Sequence, residues 1–64
     1  MRELGNLAII CAQRPDVLMQ LRGGKVFVRV GTDLILRTGW DNDGEIRRSI
    51  HELNFGKYSG KGAR

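Results

Sequence analysis

Lys25-Val26-Phe27-Val28-Arg29-Val30 decides the fold of this chain. Polar or large residues alternate with valine, and β-branched side chains fit a pleated, half-buried surface. The stretch predicts a strand. Leu34-Ile35-Leu36-Arg37-Thr38 follows after Gly31-Thr32-Asp33, so the two runs predict a hairpin. Loop parity assigns the faces, because a one-residue slip turns every side chain over. A three-residue loop pairs Val30 with Leu34, Val28 with Leu36 and Val26 with Thr38. The apolar positions then share one face. The other face carries Lys25, Phe27, Arg29, Ile35 and Arg37.

Upstream, Leu4, Leu7, Ala8 and Cys11 fall at i, i+3, i+4 and i+7, one face of a helix. Ile10, Val17 and Leu21 extend an adjacent stripe. Pro15 interrupts it, since proline inside a helix removes a backbone hydrogen bond and clashes with the preceding turn. At the start of a new helix it fits. The pattern predicts two short helices, about 3–13 and 15–22, or one helix kinked near Arg14. Gly23-Gly24 then serves as the stop. Leu7 to Cys11 can also be read as a buried strand, and periodicity alone leaves that alternative open.

Downstream, Gly39-Trp40-Asp41-Asn42-Asp43-Gly44 is turn chemistry leading into a helix, about 43–54. Asn42 as N-cap with Glu45 three residues later suits a capping box. Ile46, Ile50 and Leu53 form its apolar stripe. Arg48 and Glu52 stand as an i, i+4 pair on the outside. The expected class is α+β: N-terminal helices, a β-hairpin and a C-terminal helix. It comprises one small domain, residues 1–54, followed by a flexible, Gly-rich basic tail, 55–64.

The formal charge is +4 on 64 residues. By segment, residues 1–40 hold +3, residues 41–54 hold −2 and residues 55–64 hold +3. The body is thus only +1. The basic character divides between the hairpin face and a tail with Lys57, Lys61 and Arg64.

Several chemistries fail on spacing. Asp41-Asn42-Asp43-Gly44 resembles part of a calcium loop, but Gly39 and Ile50 then occupy the first and last ligand positions. Gly56-Lys57-Tyr58-Ser59-Gly60-Lys61-Gly62 lacks the glycine spacing of a phosphate loop, and no Ser or Thr follows Lys61. The single cysteine, Cys11, lies on an apolar stripe and cannot form an internal disulfide. The single histidine, His51, falls on the solvent side of the last helix. No catalytic residue, metal site or cofactor is expected, and the chain is read as non-enzymatic. No apolar run is long enough to span a membrane, and Met1 to Gly5 does not read as a secretory signal, so a cytoplasmic protein is expected.

Two functions remain. A chain of this size buries only about 60% of its unfolded surface, which makes it marginal without help. With no disulfide available, a protein partner or a homodimer is one expectation, with Phe27, Ile35 and Trp40 as contacts. Such a module suits a small accessory or inhibitor protein of a microbe, phage or mobile element. Trp40 has a second role open to it, as a plug at the end of the core. The alternative is nucleic-acid binding through Lys25, Phe27, Arg29 and Arg37 with the tail residues Lys57, Lys61 and Arg64. Bases stack on aromatic rings while cations meet phosphates.

Overall fold

A hairpin face needs a neighbour on its apolar side, and two helices provide one. A computed structural model gives the fold and describes residues 2–60. In chain order the elements are helix α1 (Arg2–Ala12), strands β1 (Val17–Arg22), β2 (Lys25–Val30) and β3 (Asp33–Gly39), and helix α2 (Asp43–Phe55). The strands form an antiparallel meander in the order β1-β2-β3. The class is α+β. The N-terminal run is a helix, in line with the i, i+3, i+4, i+7 spacing, and not a strand.

The second N-terminal helix is a correction. Residues 17–22 form a strand. Gly23 and Gly24 do not stop a helix. They take φ of +55° and +78° and form the two-residue turn of a β-hairpin. Positive φ at both central positions is the type I′ requirement, and its twist matches that of the flanking strands. Val17, Met19 and Leu21 then lie opposite Val30, Val28 and Val26. Six residues are too few for a stable isolated helix, whereas here β2 offers a row of valines as partners.

The β2–β3 register holds a second difference. Val28 pairs with Leu36 and Val26 with Thr38, as loop parity predicts. Val30, however, pairs with Asp33 across a two-residue turn, Gly31-Thr32, and the register shifts between Val28 and Arg29. One extra residue, Ile35, is inserted there as a β-bulge. A two-residue turn plus a bulge has the same parity as a three-residue loop, so the ladder beyond is unchanged. Within the bulge the faces are exchanged. Ile35 packs against the core, while Leu34 stands beside Arg29 on the other face.

Both helices cover the valine face, α1 against β1 and α2 against β3, and they pack on each other. Leu7, Cys11, Val17, Val26, Val28, Leu36, Ile46 and Leu53 are the buried core. Ser49 is buried with them, its hydroxyl donating to the Ile46 carbonyl. Asn42 caps α2 by accepting from the Glu45 N–H at 3.3 Å, and its amide donates to Thr38 Oγ1. The Glu45 carboxylate turns to Arg48 at 3.6 Å. The expected Arg48–Glu52 pair is replaced, and Glu52 instead accepts from the Lys57 N–H.

Arg14 ties the two ends of the fold. Its Nε and Nη2 donate to the Asp16 carboxylate at 3.1 and 2.7 Å, and its Nη1 donates to the Leu53 carbonyl at 3.0 Å. A cation at the last carbonyls of α2 meets the negative end of that helix. The hydrogen bond from Arg14 holds the Asp16 carboxyl below its ordinary value. Beyond α2, Tyr58 packs against the core and its hydroxyl donates to Asp33 at 3.2 Å.

Candidate functional site

With both helices on one side, the opposite face of the sheet is left open. Strand periodicity sends residues i and i+2 to the same face, and antiparallel pairing lines them up in rows. Arg22, Lys25 and Gly39 form the first row. Gln20, Phe27 and Arg37 form the second, and Leu18, Arg29 and Leu34 the third. Rows lie about 6.8 Å apart along the strands and neighbouring strands about 4.8 Å apart.

Among the described residues the face carries four cations, Arg22, Lys25, Arg29 and Arg37, and one acid at its end, Asp41, whose carboxylate oxygen stands 3.1 Å from where a Cβ at Gly39 would lie. None of the four forms an ion pair among the described residues. Phe27 is half-buried at the centre, between Gln20 and Arg37. Around its ring, Gln20, Arg22, Phe27, Arg29, Leu34 and Arg37 line a shallow depression of about 230 Å³. Three other acids of the body pair with cations away from this face: Asp16 with Arg14, Glu3 with Arg47 at 3.6 Å, and Glu45 with Arg48.

Lys25, Phe27, Arg29 and Arg37 therefore stand together on one surface. Ile35 does not join them, because the bulge turns it toward the core, and Leu34, 45% exposed, takes that position. Arg22, Gln20 and Leu18 are additions that the helical reading of residues 15–22 concealed. The signal for them was Gly-Gly between two six-residue runs, which is a hairpin pattern.

Trp40 is not a core plug. It is 40% exposed and lies at the end of the molecule, its backbone N–H donating to the Gly24 carbonyl at 3.3 Å. With Leu4, Leu21 and the Gly23-Gly24 turn it lines a cleft of about 310 Å³, to which Arg22 and Lys25 also contribute. Lys57 is exposed, with its ammonium 5.5 Å from the Tyr58 ring centre. Lys61 and Arg64 lie outside the described residues.

Cys11 is buried in the core. Burial pushes its thiol up, against the opposing influence of Arg14, which is the wrong direction for a thiolate nucleophile. His51 is exposed on α2, its ring tilted against Phe55 at 5.4 Å. Among the described residues no three His, Cys, Asp or Glu side chains cluster as metal ligands. No helix among them is long and apolar enough to cross a membrane. Comparison of the chain with protein-family models, with curated proteins and with solved structures returns no match.

Proposed function

We propose that this protein is a non-catalytic nucleic-acid-binding module that lays the open face of its sheet on the phosphate backbone. One observation carries the reading. Among the described residues, four cations without an ion pair stand around a central phenylalanine on the face that neither helix covers, with a single acid, Asp41, at its end. Phosphates meet Arg22, Lys25, Arg29 and Arg37, and arginine suits them because its planar fork donates twice. Phe27 and Gln20 supply a ring and an amide between the cations. Lys57 and the tail cations Lys61 and Arg64 add charge of the same sign. The third strand favours this reading over one based on a hairpin alone, since it brings Arg22 and Gln20 to the same surface.

Binding of a labelled oligonucleotide, followed by fluorescence anisotropy against salt, tests it. Four phosphate contacts on a single strand give a slope of log K against log salt near −3. Affinity then falls about 50-fold between 50 and 200 mM salt. No binding at 50 mM, or binding indifferent to salt, would sink the proposal.

A second reading is a protein partner or a second copy of the chain. What favours it is β1, an edge strand with Leu18 and Leu21 more than half exposed. An unpaired edge is a template for strand addition. Phe27 and Trp40 would serve as contacts there. Light scattering at high micromolar concentration reads the self-association: a strict monomer removes it.

A further inference from the structure

The Trp40 cleft differs in chemistry from the sheet face it adjoins. Its walls are the Trp40 indole and the side chains of Leu4 and Leu21, and the Gly23-Gly24 turn adds no side chain to narrow it. A Cβ at Gly24 would stand 3.9 Å from the indole nitrogen. Arg22 and Lys25, the first row of the sheet face, are also residues of this cleft. No acid is among the described residues that line it. Apolar and aromatic walls with a cationic lip match the two halves of a nucleotide. A volume of about 310 Å³ is at the small end of ligand sites, enough for one planar heterocycle with its sugar.

We infer that the cleft receives one base of a single-stranded nucleic acid, stacked on Trp40, while Arg22 and Lys25 hold its flanking phosphates. This rests on the sheet-face reading and narrows it to single strands. In a duplex the bases are paired and stacked, and one must be unpaired and extruded before it can enter. A single strand presents bases already free. Row spacing on the sheet carries the rest of the strand away from the cleft past Arg37 and Arg29.

Trp40 is the only tryptophan, so its emission reports the cleft alone. A ten-nucleotide oligothymidylate and a random-sequence duplex of equal length are titrated into the full chain at 50 mM salt. The single strand is expected to quench Trp40, and the duplex to leave it unchanged. Trp40→Ala is expected to lower single-strand affinity about tenfold, the size of one lost base–aromatic stack, with the salt slope unchanged. Trp40→Phe keeps a ring and most of the affinity. If Trp40→Ala binds the single strand as the parent does, or if the parent's emission is unmoved at saturation, the cleft assignment falls and the sheet face stands. Trp40 emission that shifts with protein concentration alone puts a second copy in the cleft and also overturns it. If neither oligonucleotide binds, the sheet-face reading falls, and this inference with it.

Discussion

Replacing Ile46 with alanine is expected to lower the thermal midpoint by about 15–20 °C. Ile46 is fully buried, in the first turns of α2, within the core shared by both helices and the sheet. Truncation to alanine removes about 2–5 kcal/mol from such a site, through lost transfer energy and the cavity left behind. A domain of this size holds roughly 3–10 kcal/mol in total, and each kcal/mol moves the midpoint of a small domain by about 4–8 °C. The variant is therefore close to unfolded at 37 °C. Circular dichroism melts measure it. Ile9→Ala is the control: Ile9 is 58% exposed on the outer side of α1, and its loss should shift the midpoint by only a few degrees. Equal shifts for both would mean that the sandwich of helices on sheet is wrong.

Reversing Arg29 and Arg37 together to glutamate is expected to weaken single-strand binding by at least about 60-fold at 50 mM salt. That figure counts only the counterion release lost with two phosphate contacts, and the new repulsion adds to it. The salt slope should become shallower by about 1.4. Both side chains are exposed on the open face, so the melt should be little changed. Arg47→Glu with Arg48→Glu makes the same change in net charge on the helical layer. That variant should retain affinity within about threefold. If the two double variants lose affinity equally, attraction is a matter of total charge and the sheet face has no special part in it.

Much of this surface is legible in the sequence. The alternation of residues 25–30 assigns Lys25, Phe27 and Arg29 to one face, and parity brings Arg37 beside Phe27. The N-cap at Asn42 and the stripe of Ile46 and Leu53 place α2 within a residue of its limits. What escapes reading has physical causes. Val17-Leu18-Met19-Gln20-Leu21-Arg22 is rich in residues that favour helices, and Pro15 suits a helix start. Its strand conformation is imposed by partners that lie in the next segment, Val26, Val28 and Val30. The bulge at Ile35 together with the two-residue turn leaves the parity of residues 36–38 as a three-residue loop would, so the alternation there does not betray it. It nonetheless exchanges Leu34 and Ile35 between surface and core. Trp40 follows no periodicity at all, and only the position of the Gly23-Gly24 turn decides that its ring lines a cleft.

The packing of α1 on α2 has a consequence for how the chain is made. Synthesis delivers the meander before the helix that completes its cover, and the Arg14 tie to Leu53 joins residues 39 apart. Until Asp43–Phe55 is in place, the β3 side of the valine face is bare and α1 has no partner helix. Exposed apolar strands at that stage are what aggregation feeds on. The arrival of α2 therefore closes the vulnerable period of the chain, and anything that delays or unwinds that helix lengthens it.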